Sequence, residues 1–117
     1  MAAYVPDSGV SVLRLNGENE SLLASRLRSE LASAVAGSAP VVVDLTEAKS
    51  IDAAVIRILL EGLAESERHE QVLLLLLPDD ADSPVHRLFQ LTGLAGLLPV
   101  VSSWDEALRR AGQVPAA

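Results

Sequence analysis

Residues 41–62 read VVVDLTEAKSIDAAVIRILLEG, and within this stretch the hydrophobic period changes. The opening run, 41–43, is apolar and β-branched without interruption and ends at Asp44. A strand buried on both faces of a sheet is written this way. A polar connection follows over 46–50, then Ile51 and Asp52. From Ala53 onward, Ala54, Val55, Ile58, Leu59 and Leu63 recur at helical spacing, with Arg57, Glu61 and Glu65 on the opposite side. The loop brings Asp52 to the positive end of the helix, where a carboxylate caps free backbone amides. Strand, short loop, helix is the building unit of a parallel α/β sheet.

The rest of the chain repeats that unit. Tyr4-Val5 and the run 10–15 flank Pro6-Asp7-Ser8-Gly9, a tight-turn sequence that predicts an opening hairpin. A helix is expected over 20–36, with Leu23, Leu27, Leu31, Ala34 and Val35 as its buried stripe and Gly37 as its C-terminal cap. The helix opened by Asp52 should end near Glu67 or Arg68. The apolar run 72–77, cut off by Pro78, predicts a second interior strand. Ser83-Pro84 then starts a helix over 85–92 that stops at Gly93, and 97–101 predicts a last short strand. Ser103 and Glu106 have capping-box spacing, and the closing helix should run to about Ala111. The expectation is one α/β domain over 3–112, with 113–117 as a flexible tail. Its sheet should be mostly parallel or mixed, with four to five strands and about four helices.

Composition narrows the function classes. Half of the 117 residues are hydrophobic but only 3% are aromatic, so the core must be aliphatic. A net charge of −7 repels phosphate backbones, which argues against nucleic-acid binding. The absence of cysteine excludes thiol catalysis, thiolate metal sites and disulfides. No charged-then-apolar leader opens the sequence, and no apolar run approaches the ~20 residues that span a bilayer. A cytoplasmic domain with no membrane insertion is the expectation. Lys49 stands alone against eight arginines, which fits a GC-rich bacterial genome.

Three separated segments, in order, resemble the STAS domain family, the fold shared by anti-sigma factor antagonists and the cytoplasmic tails of sulphate transporters. They are VLRLNGENE at 12–20, VVVDL through Asp52-Ala53-Ala54-Val55, and VHRLFQLTGL at 85–94. In the antagonists, the segment matching 52–55 reads D-S-S-G, and its second serine is phosphorylated by a partner anti-sigma kinase. Ala54 stands at that serine's position, so the phosphosite is degenerate. Both hydroxyls are gone, and Val55 replaces the glycine. The acidic loop 79–83 is a few residues longer than is usual in antagonists.

The resemblance makes two turns candidate partner-binding sites. One is Asp52, Ala53, Ala54 and Val55. The other is Gly17, Glu18, Asn19 and Glu20, matching a turn that lies beside the phosphorylation turn and often carries aspartate where Glu20 stands. The plain alternatives are that Asp52 only caps a helix and that Asn19 caps the one before it. Thr46 and Ser50 carry the nearest hydroxyls in the loop, where a side-chain hydrogen bond to the backbone is their ordinary role. His69 and His86 lack metal-ligand spacing, and Asp79, Asp80 and Asp82 lack the twelve-residue loop of a calcium site. No catalytic set, cofactor motif or metal site is recognisable. The resemblance therefore implies a non-catalytic regulator that binds an anti-sigma factor of the serine-kinase type or another regulatory protein. Without its phosphoacceptor it would remain competent to bind. The alternative is a cytosolic subunit or ligand-binding domain associated with a membrane transporter.

Overall fold

The structure, a computed structural model, describes residues 2–4, 9–17 and 21–112, with side chains described over 9–16 and 24–112. Its elements in order are β1 (Ala2–Tyr4), β2 (Ser11–Gly17), α1 (Ser21–Ala36), β3 (Val41–Ala48), α2 (Ala53–Arg68), β4 (Leu73–Leu76), α3 (Pro84–Thr92), a 3-10 turn (Leu94–Gly96), β5 (Val100–Val101) and α4 (Trp104–Arg110). The five strands lie side by side in sequence order. β1 pairs antiparallel with β2, and β2 through β5 are parallel. The expected α/β class, mixed sheet and four helices are present.

The helix layers follow from that order. Parallel strands joined by right-handed crossovers and stepping one way across a sheet place every crossover helix on the same face. Leu27, Leu31 and Val35 of α1, Val55, Ile58 and Leu59 of α2, and Val85 and Phe89 of α3 accordingly share one core with Leu13, Leu15, Val41, Val43, Leu45, Leu73 and Leu75. α4 follows the last strand and escapes that constraint. Ala107, with Trp104 and Leu108 beside it, packs on the other face, against Val12, Val42, Leu74, Leu76 and Val101. Alternate residues of each central strand thus face opposite cores, which is why those strands read as unbroken apolar runs.

α1 and α2 approach closely at Gly62. A Cβ there would come within 2.4 Å of Leu31 Cδ2, and Leu31 is itself buried. Only glycine leaves room for this contact without displacing a core leucine.

Several boundaries differ from expectation. β3 continues through Thr46 and Glu47 to Ala48, because Asn16 and Gly17 extend the pairing after a register shift that gives β3 one extra residue. The polar connection to α2 is correspondingly shorter. Ala54 is exposed and does not belong to the α2 stripe, which consists of Val55, Ile58, Leu59, Gly62 and Ser66. Gly37 is not a left-handed cap; among the described residues, positive φ occurs at Gly9, Gly93 and Gly112 and at Glu70. The strand expected over 97–101 shrinks to two residues, since Leu97 and Leu98 bond back to Leu94 O and continue the 3-10 turn. The turn of the opening hairpin and the tail lie outside the described residues.

Other sequence signals act as expected. Ser83 caps α3 with Pro84 following it, and Gly93 ends the helix at φ 76°. Ser103 accepts from Glu106 N at 3.1 Å to start α4.

Candidate functional site

The first turn of α2 is set by Asp52. Its backbone is extended (φ −106°, ψ 179°), and Oδ1 accepts from Val55 N at 3.0 Å. Ile51, largely buried, anchors the loop just before it. Asp52 is thus a true N-cap, and its side chain satisfies one of the amides that the helix leaves free. Ala53 and Ala54 follow as the first two helical residues, and both are exposed. Val55 is different. Its side chain is fully buried in the core under α2, so it offers no side-chain surface to a partner. The expectation that Val55 would stand at the contact surface is corrected: the third position of this helix turns inward.

Ala54 lies on the wall of a pocket of about 110 Å³ between α1 and α2. Ala24, Ser25 and Arg28 line it from α1, and Arg57 and Ile58 from α2. Farther along the same cleft, Arg28 Nη2 lies 3.6 Å from Glu61 Oε2.

The second expected turn starts at Gly17, the last residue of β2. Gly17 pairs with Ala48, the last residue of β3. The register therefore brings the end of β2 beside the end of β3, from which the chain runs on to Asp52, at the carboxyl edge of the sheet. Glu18, Asn19 and Glu20 lie outside the described residues.

Beneath this edge is a feature that pattern reading missed. Asp44 is completely buried. Arg14, its register partner on β2, donates from Nε to Oδ2 at 3.0 Å. Thr46 donates to Oδ1 through its amide at 2.9 Å and its hydroxyl at 2.6 Å. A charge between Val43 and Leu45 in an interior strand requires such partners. That position was the available signal, and VLRLN on the neighbouring strand supplies the cation. Thr46 therefore belongs to a strand-borne network and not to a mobile acceptor loop.

The remaining candidates stay apart. His86 Nδ1 lies 3.0 Å from Pro78 O beyond the end of β4, while His69 at the end of α2 lies 3.7 Å from Glu65. Among the described residues, no group of three or more potential ligands could hold a metal ion. In the acidic loop, Asp80 is engaged locally, with Oδ1 accepting from Asp82 N at 2.9 Å. A second pocket, at the carboxyl ends of β4 and β5, has about 150 Å³ and is lined by residues including His86, Gln90, Ser102 and Glu106. Both volumes fall well below the ~300 Å³ at which cofactor-sized sites begin.

A family model described as "Mlab, STAS domain" matches residues 3–99. The chain belongs to the STAS domain family. Among solved structures, this STAS domain is similar to the anti-sigma factor antagonist SpoIIAA in its unphosphorylated form, with 19% identity, a TM-score of 0.78 and 98% of each chain covered. It is also similar to an anti-sigma factor antagonist from Mycobacterium paratuberculosis, with 27% identity, a TM-score of 0.74, and 95% of this chain and 93% of that one covered. A sulfate transporter family protein from Wolinella succinogenes matches at 24% identity and a TM-score of 0.68, covering 93% of this chain and 88% of that one. No curated protein matches the sequence. Among the described residues, no helix of the STAS domain is long and apolar enough to cross a membrane.

Proposed function

We propose that this STAS domain is a non-catalytic, cytoplasmic regulator that binds an anti-sigma factor of the serine-kinase type through the first turn of α2. The binding surface is formed by Asp52, Ala53 and Ala54, together with the adjoining turn that begins at Gly17. The observation that carries this reading is Ala54. It is exposed at the second position of a capped helix, where the family motif places the phosphorylated serine. Alanine resembles an unphosphorylated serine in size and charge but has no oxygen to accept phosphate. The domain would therefore hold the binding-competent state permanently, because the roughly two negative charges that switch off such a contact cannot be added there. The likeness to the Mycobacterium antagonist supports an antagonist-like role.

The test is affinity capture from the native cell followed by mass spectrometry and titration of the recovered partner. Recovery of a serine-kinase anti-sigma factor that binds directly supports the reading.

A second reading, a cytosolic subunit of a membrane transporter, draws on the likeness to the Wolinella protein. It also draws on apolar surface near the end of α3, where Leu91 is 81% and Leu97 67% exposed. Recovery of transporter subunits in the same capture would favour it.

A further inference from the structure

We infer that the pocket between α1 and the first turn of α2 receives a single acidic side chain, aspartate or glutamate, carried by the protein that this surface binds. The inference rests on the proposed protein-binding role of the Ala54 turn and adds the chemistry of what enters it.

The chain has sixteen acidic residues against nine basic ones, yet among the described residues the titratable side chains lining this pocket are Arg28 and Arg57. Among the described residues Arg57 has no ion-pair partner. Arg28 leans along the cleft to Glu61 at 3.6 Å, with both side chains more than half exposed. An exposed pair of this length adds little stability and exchanges readily. The positive end of α2 adds a field of the same sign. Asp52, the carboxylate at the start of the same turn, is engaged with Val55 N as the helix cap. Ala24 and Ile58 supply apolar wall for the methylene groups of an incoming side chain, and Ser25 a hydroxyl.

Size and sign together select the occupant. About 110 Å³ accommodates one side chain and falls short of a cofactor-sized cavity. The net charge of −7 disfavours an extended polyanion, which would meet the net repulsion of the domain as a whole. One carboxylate on an otherwise matched protein surface presents far less charge to that repulsion.

Farther along the cleft, a pocket of about 80 Å³ is lined by Glu61 and Glu65 beside Arg28. The two carboxylates there give the partner a direction, with its acidic residue at the Ala54 end.

The test uses the whole ¹⁵N-labelled chain and two probes, the peptides acetyl-Gly-Glu-Glu-Gly-amide and acetyl-Gly-Lys-Lys-Gly-amide, followed by amide chemical shifts. The glutamate peptide should cause saturable shifts centred on Ala24, Ser25, Arg28, Ala54, Arg57 and Ile58, and the lysine peptide none there. Arg28→Gln and Arg57→Gln should each weaken the effect about two- to fivefold, the size of one exposed ion pair. Ala54→Glu places a carboxylate three residues before Arg57, where it should compete from within, and Ala54→Gln should not. Absence of shifts at these residues, equal shifts with the lysine peptide, or insensitivity to both arginine variants would overturn the inference. Should the peptide test fail while Ala54→Glu still abolishes binding of the kinase, this inference falls and the proposed function stands.

Discussion

Arg14 and Asp44 face each other across β2 and β3, joined at 3.0 Å, but they share the burial unequally: Asp44 is wholly enclosed, and the Arg14 side chain is 37% exposed. Removing the arginine would therefore strand a buried carboxylate that, among the described residues, Thr46 alone still serves. Removing the carboxylate would leave a guanidinium that water can reach.

Arg14→Met should accordingly cost about 2–4 kcal/mol, somewhat below the ~3–5 of a fully desolvated pair. Asp44→Asn should cost less, about 1–3 kcal/mol, the range for losing charge from a bonded buried acceptor. Urea unfolding of the two variants checks the order. If Asp44→Asn were the more damaging, Asp44 would not depend on Arg14.

The crossover-side core supplies a second prediction. Leu59 on α2 and Leu75 on β4 are both fully buried and belong to the same cluster as Val41, Val43, Ile58 and Leu73. Truncation of either to alanine should cost roughly 2–5 kcal/mol, the usual range for a buried leucine. Losses below about 1 kcal/mol at both sites would mean that these faces do not form the core.

Val55 tests whether the α2 turn divides between surface and core as the burial implies. Val55→Gly restores the residue found in the antagonists' motif, but here it empties a filled position. Losing a buried valine costs about 1.5–3 kcal/mol, and glycine in a helix about 1 more, so the melting temperature should fall markedly. Thermal melts decide this. A variant that melts like the parent would place Val55 at the surface after all.

Much of this architecture was legible in the sequence because buried parallel strands and amphipathic helices leave different periods. The residues 41–43 and 73–76 could hardly have been anything but interior strands, and Asp52, Ser83 and Ser103 each proved to be a cap. Periodicity was less able to separate the faces at the start of a helix. Ala54 and Val55 are neighbours of similar apolar character, and the geometry sends one outward and the other into the core. The end of β3 was obscured for another reason. Thr46 and Glu47 look like loop residues, and only the pairing of Asn16 and Gly17 with Glu47 and Ala48 makes them strand. The Arg14–Asp44 pair depends on register between strands thirty residues apart, which local pattern does not encode.

Phosphorylation provides a chemical test. Incubation with ATP and a cognate anti-sigma kinase should leave the intact mass unchanged. Ala53 and Ala54 carry no acceptor, and the Thr46 hydroxyl is held at 2.6 Å by the buried Asp44 carboxylate. A phosphate there would meet that carboxylate as a like charge. A gain of one phosphate mapped to Thr46 or Ser50 would show that the switch has moved.

The most direct measurement compares Ala54→Glu with the parent in titration calorimetry against a serine-kinase anti-sigma factor from the same cell, with thermal melts alongside. Glutamate at the second position of α2 is favoured by the helix dipole, so the melts should coincide. Binding should weaken by at least about tenfold, because the new carboxylate acts as a permanent phosphate mimic and brings an unpaired charge into the contact. Equal melts with equal affinity would contradict the account and leave Asp52 as no more than a helix cap.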